Sequence, residues 1–308
     1  NPYRGEQVTL TYTLYTQVDI TSFNEELPKY KGFWTEEIYA PTNLTLRKVQ
    51  KNNVQYFKVS KLIKNRVTYG FFSRKGGYST KNYKSLNCNL KSDDSKTIVS
   101  KNIKLAIKNL NLKHSKIKFI NQIHSSKVIL INNHNINKSI NADGSITMDK
   151  NISLAILTAD CAPIFIYDTK NTFICALHSG WRGCLNNIIS KAVKKLKIIN
   201  KNNDEIVAIV GPCLQGNNFE VDENLKNIFL NKNFNYKSFF IKKNKTNKLN
   251  FDMRGLINYQ LKNMSIDNIF NIDKDTYNNK DLFYSYRRSS NQGILSTARM
   301  INIIGFRK

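Results

Sequence analysis

Three short apolar runs between residues 154 and 177 constrain the fold of this chain more than any other feature. They cover residues 154–157, 163–167 and 173–177, and polar or turn-forming residues separate them. Apolar runs of this length with such boundaries are typical of buried strands. None of them, nor any other run in the chain, approaches the roughly 18 residues that a membrane-spanning helix needs. We therefore predict a buried sheet and no membrane segment.

Helical patterns flank these strands. Ser95 can cap a helix whose apolar residues keep a 3.6-residue period, and a second amphipathic pattern covers residues 185–196. Further strands are predicted at 127–131 and 205–210, and a helix at 256–264. Residues 231–250 are rich in Lys and Asn and are predicted to form a loop. The pattern predicts an α+β fold with layered mixed β-sheets flanked by helices.

The first 50 residues differ from the rest of the chain. They carry five basic and six acidic side chains, although the whole chain has a net charge of +26. Residues 8–14 alternate between apolar and polar, which indicates a half-buried strand. This segment resembles part of a bacterial BatD-type, aerotolerance-associated β-sandwich protein. We therefore predict a short β-rich extension at 1–50 and a single larger domain at 51–308.

The positive charge suggests nucleic acid as a partner, but its distribution does not favour one. Lys and Arg number 48 against 22 Asp and Glu. The lysines are scattered together with Asn and Ile, as an AT-rich genome would produce, and no RNA-recognition or zinc-finger spacing accompanies them. A solvated surface is the favoured interpretation, and a basic nucleic-acid-binding protein is kept as the non-enzyme alternative.

Five cysteines, an odd number without framework spacing, favour a reducing cytoplasm with free or metal-bound thiols. Cys161 interrupts two apolar runs, His178 ends a strand, and His124 precedes one. Strand ends are places where side chains converge on a cleft. Two His and one Cys form a zinc ligand set with an open fourth position. The same residues could instead be a buried Cys and two hydrogen-bonded histidines, or Cys161 could be a nucleophile with His178 as its base.

Several motifs occur in a specific order along the chain. They cover residues 69–79, 85–87, 121–125, 142–144, 158–163, 178–183, 211–213, 219–221 and 285–288. Their sequence and order resemble the laccase-domain, or YfiH-like, family, whose members are also described as polyphenol oxidoreductases and purine nucleoside phosphorylases. The most specific segments are Thr-Ala-Asp-Cys at 158–161 and His-Ser-Gly-Trp-Arg-Gly at 178–183. The resemblance covers residues 60–308.

The resemblance implies a cytoplasmic zinc enzyme whose metal ligands are His124, Cys161 and His178. It implies phosphorolysis of adenosine, inosine and methylthioadenosine, deamination of adenosine, and purine nucleoside and phosphate as binding partners. Copper could replace zinc, but four histidines cannot supply both a blue-copper site and an oxygen-reducing copper cluster. The chain departs from the family at Ile294, where an Arg is usual, unless Arg299 substitutes for it.

Five further residues are candidates for the chemistry. Arg182 lies in a glycine turn before a helix and could bind phosphate, or it could contact Trp181 or form a salt bridge. Asp160 is the carboxylate nearest to Cys161 in sequence and is a candidate for proton transfer, or it could cap a turn. Substrate binding is also predicted for three residues that could equally be structural: Arg74, Asn87 and Gln122.

The sequence leaves three functions open besides the nucleoside phosphorylase. A Cys161/His178 hydrolase or amidase could act in the editing of peptidoglycan precursors. A copper-dependent polyphenol oxidoreductase is a second enzyme alternative. The basic nucleic-acid-binding protein is the third.

Overall fold

Two six-stranded mixed sheets, packed face to face, form the centre of the molecule. The computed structural model describes residues 46–51, 53–59, 66–199, 205–242, 248–294 and 298–307. Their strands are β1 (Leu46–Lys51), β2 (Val54–Val59), β3 (Val67–Phe72), β4 (Lys116–Phe119), β5 (Val128–Leu130), β6 (Gly144–Thr147), β7 (Ile152–Thr158), β8 (Ala162–Asp168), β9 (Ile174–Ser179), β10 (Ile206–Val210), β11 (Glu220–Val221), β12 (Phe240–Lys242), β13 (Leu249–Phe251), β14 (Asn268–Asn271) and β15 (Met300–Phe306). The α-helices are α1 (Lys96–Asn109), α2 (Trp181–Leu185), α3 (Ile188–Ile199), α4 (Glu223–Leu230), α5 (Met253–Lys262) and α6 (Tyr286–Asn291). Short 3-10 helices cover Lys81–Tyr83, Gly216–Asn218 and Phe234–Phe239.

The first sheet has the strand order β1-β2-β3-β15-β7-β4, and the second has the order β14-β10-β8-β9-β6-β5. Each sheet is mixed, because β4 runs parallel to β7 in the first, and both β5–β6 and β10–β14 are parallel pairs in the second. Apolar side chains fill the space between them. The rings of Phe71 and Phe165, one from each sheet, stack with centroids 4.6 Å apart.

Helices cover the outer faces of both sheets, so the predicted α+β architecture of layered mixed sheets is confirmed. Val99, Ile103 and Ala106 of α1 are buried against the first sheet. Helices α3 and α5 bury their apolar faces in the core that covers the second sheet. The cap at Ser95 is also confirmed, since its side chain accepts a hydrogen bond from the Ile98 amide.

The segment rich in Lys and Asn contains regular secondary structure. The loop predicted at 231–250 is wrong in part, because the 3-10 helix at Phe234–Phe239, β12 and the start of β13 lie there, and Phe240 and Leu249 are buried. Composition alone does not reveal that apolar residues scattered among these lysines are part of the core.

The strand predicted at 8–14 lies outside the described residues, and the boundary predicted at residue 50 falls within β1. No helix in the described part of the chain is long and apolar enough to cross a membrane.

Candidate metal centre

His124 and Cys161 lie in two connections that carry the chain from the first sheet to the second. His124 follows β4, an edge strand of the first sheet, and precedes β5 in the second. Cys161 follows β7 and immediately precedes β8, so its connection makes the same crossing. The two residues therefore meet where the sheets are linked, although 37 positions separate them in sequence.

His178 completes a cluster of three side chains. It lies in β9, opposite Pro163 of β8, which places it beside Cys161 in the second sheet. One ligand atom from each of His124, Cys161 and His178 lies within 4.8 Å of the others, and Cys161 Sγ is 3.9 Å from His124 Nε2. A tetrahedral zinc with ordinary bond lengths holds sulfur and nitrogen ligands about 3.5 Å apart. The predicted trio is thus brought together in a geometry that fits a metal ion.

The backbone around the cluster adopts uncommon conformations. His124 has a φ of 56° and Asp160 a φ of 88°, both in the left-handed region that non-glycine residues seldom occupy. Gly180 approaches the thiol so closely that a Cβ there would lie 2.8 Å from Cys161 Sγ. These features indicate that the fold fixes the crossing loops to aim His124 and Cys161 at one point.

Asp143 connects both histidine segments. Its Oδ1 lies 2.8 Å from His178 Nδ1 and accepts a hydrogen bond from the His124 amide at 3.0 Å. Its Oδ2 accepts from the amide and the hydroxyl of Ser125 at 2.5 Å and 2.7 Å. Burial alone would raise the pKa of Asp143, but hydrogen bonds from His178 and Ser125 lower it, so the group is a carboxylate. A carboxylate at Nδ1 leaves Nε2 of His178 as the ligand atom.

No sequence feature predicts a separate role for Asp143. The residue lies in a recognised motif, and a carboxylate that orients a metal-binding histidine is a common arrangement. Asp143 and His178 are 35 positions apart, and the intervening sequence carries no local signal of that pairing. Only the antiparallel contact of β6 with β9 places the two side chains together.

The thiol of Cys161 and the imidazole of His178 influence each other strongly. Burial alone would raise the pKa of Cys161, but the His178 charge and hydrogen bonds from the two histidines lower it overall. Burial alone would lower the pKa of His178, but Cys161 and Asp143 raise it overall. The pair therefore favours a thiolate, which is the form that binds metal or acts as a nucleophile.

We expect Asp143→Asn to weaken the affinity of the cluster for a metal ion by about tenfold to a hundredfold, because the amide orients His178 less firmly than a carboxylate does. Competition with a chelating dye would measure this change. Asp168→Asn is the matched control, since Asp168 is also fully buried and accepts three hydrogen bonds, but they come from Thr172 and Phe173. Equal loss of affinity in both variants would show a general folding effect and contradict the orienting role.

The carboxylate of Asp160 contacts the segment that leads into α6. It accepts hydrogen bonds from Thr276 Oγ1 at 2.6 Å, Ser285 Oγ at 3.0 Å and the Arg287 amide at 2.6 Å. Burial raises the pKa of this carboxyl, while these hydrogen bonds act in the opposite direction. The contacts tie the Cys161 loop to residues 276–287. The predicted role of Asp160 in proton transfer stays a prediction.

The remaining candidates from the sequence have well-defined partners. Gln122 exchanges two hydrogen bonds with the Leu157 backbone, at 2.8 Å and 2.9 Å. Asn87 is fully buried and bonds Ser92 and Asp94 through its amide nitrogen. Arg74 donates to the carbonyls of Lys84 and Lys280 and lies over the Tyr284 ring. These contacts hold loops in place, and substrate binding by the three residues stays a prediction.

Two arginines are more directly relevant to an anion near the cluster. Arg182 is exposed in the first turn of α2, with its guanidinium 5.0 Å from the Trp181 ring and no carboxylate partner among the described residues. Burial lowers the pKa of Arg299, and the charges of Cys161 and Asp160 act against this lowering. Arg299 is therefore coupled electrostatically to Cys161 and Asp160, and its substitution for the arginine missing at 294 stays a prediction.

The other two histidines do not extend the cluster. His134 is exposed, and His114 Nε2 lies 3.3 Å from the Phe306 carbonyl. Within the described ranges, His124, Cys161 and His178 form the one group of three or more potential ligands. All five cysteines are free.

Comparison with known proteins finds a matching family model, curated relatives and similar solved structures. Residues 68–307 match the family model described as multi-copper polyphenol oxidoreductase laccase. Purine nucleoside phosphorylase RC0672 of Rickettsia conorii is 38% identical over 194 residues, which are 60% of this chain and 78% of that protein. Purine nucleoside phosphorylase YfiH of Escherichia coli is 28% identical over 225 residues, 73% of this chain and 90% of that protein. The crystal structure of YfiH from Bacillus licheniformis superposes with a TM-score of 0.74 at 23% identity, covering 86% of this chain and all of that chain.

Proposed function

The chain belongs to the multi-copper polyphenol oxidoreductase laccase family, and from this membership we propose that it is a zinc-dependent purine nucleoside phosphorylase. Its substrates are adenosine, inosine and methylthioadenosine, and it also deaminates adenosine. The names of the relatives from Rickettsia conorii and Escherichia coli support the phosphorylase activity. The observation that carries the proposal is the convergence of His124, Cys161 and His178 within 4.8 Å.

The composition of the cluster supports zinc. His124, Cys161 and His178 would hold the ion through two nitrogens and one sulfur, which is a set found in catalytic zinc sites. Bound zinc supplies a Lewis acid that stabilises negative charge developing on the substrate. The single three-residue cluster in the described part of the chain does not provide ligands for several coppers, in spite of the family's description. One copper ion in the place of zinc is the alternative.

Three further residues, Asp143, Arg182 and Asp160, are assigned the remaining roles in the reaction. Asp143 holds His178 in one orientation, so the cluster needs little reorganisation during the reaction. Arg182 lies two residues after Gly180, where an added Cβ would be 2.8 Å from Cys161 Sγ, and its exposed guanidinium is available to an anion. We assign the phosphate to Arg182, and the protons moved in deamination to Asp160.

We also propose a cytoplasmic location. The metal-binding form of Cys161 is a thiolate, which a reducing compartment preserves. The four other cysteines are buried and free, in agreement with such a compartment.

Incubation of the purified protein with adenosine, with and without phosphate, tests the proposal. We expect adenine and ribose 1-phosphate only when phosphate is present, inosine in both conditions, and about one zinc per chain by elemental analysis. Adenine formation at the same rate with and without phosphate, or full activity of a metal-free protein, would overturn the assignment. Chromatography separates the three products.

The thiolate-favouring contact of Cys161 with His178 supports a second candidate, a hydrolase or amidase that acts on a peptidoglycan precursor. In that case the Cys161 thiolate attacks the amide carbonyl, the C–N bond breaks as His178 donates a proton to the leaving amine, and water then hydrolyses the thioester to release the acid and free Cys161. Cleavage of a muropeptide amide without phosphate, by protein that lacks metal, would select this candidate over the phosphorylase.

A further inference from the structure

A shallow groove lies beside the candidate metal centre. It is lined by residues 125–128 and by three lysines of α3, Lys191, Lys194 and Lys195, and it has a volume of about 610 Å³. We refer to it as the lysine groove. Its rim combines the start of β5 with the exposed face of α3, whose opposite face is buried in the core.

The lysine groove has one sign of charge. Lys127 joins the three helical lysines, all four side chains are exposed, and no acidic residue lines the groove. Lys191 donates a hydrogen bond to Ser126 Oγ at 2.5 Å. Among the described residues, the ammonium groups of Lys127, Lys194 and Lys195 have no ion-pair partner. Four neighbouring positive charges without a counter-charge attract anions and concentrate them locally.

Ser125 connects this groove to the metal centre. It follows His124 directly, and its amide and hydroxyl donate to Asp143 Oδ2, the carboxylate whose other oxygen contacts His178. Consecutive Cα atoms are about 3.8 Å apart, so a ligand that touches Ser125 or Ser126 lies within two residues of a metal ligand. The groove and the candidate metal centre therefore share the backbone segment 124–126.

We propose that the lysine groove binds a phosphate group other than the one assigned to Arg182, carried either by a second inorganic phosphate ion or by the 5′ carbon of a nucleoside. Lysine ammonium groups and serine hydroxyls are suitable donors for a compact dianion. The groove has no aromatic side chain on which a base could stack, which distinguishes it from a single-stranded nucleic-acid site. This inference goes beyond the proposed function, because the phosphate that reacts in phosphorolysis is assigned to Arg182 and not to the groove.

Calorimetric titration of the full chain tests the proposal, with inorganic phosphate, AMP and uncharged adenosine as separate probes. The groove variant K191Q/K194Q/K195Q removes three charges, while glutamine retains a helix propensity similar to that of lysine. We expect it to weaken AMP binding at least tenfold and to leave adenosine binding unchanged. A parallel loss for inorganic phosphate assigns free phosphate to the groove, and a loss for AMP alone assigns the phosphate ester.

The matched control is K101Q/K104Q/K108Q, which removes the same charge from exposed lysines of α1, on the opposite side of the sheets. We expect this variant to bind AMP and phosphate within about twofold of the unmodified chain. Equal weakening in both variants, no weakening in either, or no phosphate-dependent binding by the unmodified chain would overturn the proposal. Binding is measured without turnover, so the two proposals can fail separately. If the groove binds phosphate as expected but the protein does not catalyse phosphorolysis, only the proposed function is refuted.

Discussion

Replacing Cys161 with alanine is expected to remove the bound zinc and to lower phosphorolysis of adenosine by on the order of a thousandfold. Two histidines remain in the cluster after this change, and they bind zinc far less tightly than three ligands do. Elemental analysis of the purified variant measures the metal, and adenine release measures the activity. Circular dichroism establishes that the variant has folded.

Cys175→Ala is the matched control for this experiment. Cys175 lies in β9, the strand that carries His178, but its side chain is fully buried in an apolar cluster and burial raises the pKa of its thiol. We expect the control to keep both zinc and activity, at a small loss of stability. Retention of a full zinc equivalent by Cys161→Ala would contradict the proposed ligand set.

His124→Ala separates the two enzymatic candidates. A Cys161 nucleophile with His178 as its base does not require His124, whereas a three-ligand metal site does. We therefore expect His124→Ala to lose zinc and phosphorolysis as completely as Cys161→Ala. Substantial activity in His124→Ala, together with none in Cys161→Ala, would favour the amidase.

Arg182→Ala is expected to reduce phosphorolysis by roughly tens- to a thousandfold, because one charge-assisted contact to phosphate in the transition state is lost. Deamination of adenosine should fall much less, since no dianion takes part in it. Separate measurement of adenine and inosine from the same reaction gives both rates. Zinc content should not change.

Two variants show whether the effect is specific to Arg182. Arg182→Lys retains the charge but lacks the planar fork that binds an anion through two nitrogens, so we expect an intermediate loss. Arg66→Ala is the control, because it removes an exposed arginine next to the end of β15 at Phe306. The other end of β15 pairs with Thr158, near Cys161, so we expect Arg66→Ala to have no effect on either rate. Equal loss of both products in Arg182→Ala would indicate nucleoside binding or a structural role.

The sequence was most informative where a local pattern determines a local structure. The apolar runs at 154–157, 163–167 and 173–177 became β7, β8 and β9, because such runs gain free energy only when a sheet buries both faces. The period of α1 and its Ser95 cap were readable for the same reason. The loop predicted at 231–250 was wrong in part, since single buried aromatic residues such as Phe240 leave no periodic signal.

The metal trio was accessible from residue types and from the family's motifs, but the partners that position it were not. Asp143 was seen as part of a motif without a role, whereas the structure places its carboxylate between His178 and the His124 loop. Asp160 was selected for its position beside Cys161, and only the structure shows that its carboxylate accepts hydrogen bonds from Thr276 and Ser285. Proximity in sequence does not define the direction of a side chain when the backbone turns through a left-handed conformation.

By itself, the sequence determined the strands, the amphipathic helices and the residue types able to bind a metal, because these depend on side-chain chemistry and on patterns only a few residues long. Only the tertiary structure decided that the connections β4–β5 and β7–β8 cross between the same two sheets and bring His124 to Cys161. It also decided that Asp143 meets His178 and that four lysines share one groove. The physical reason is that strand pairing joins residues 35 or more positions apart, and the burial of both sheet faces, not local propensity, selects which strands pair.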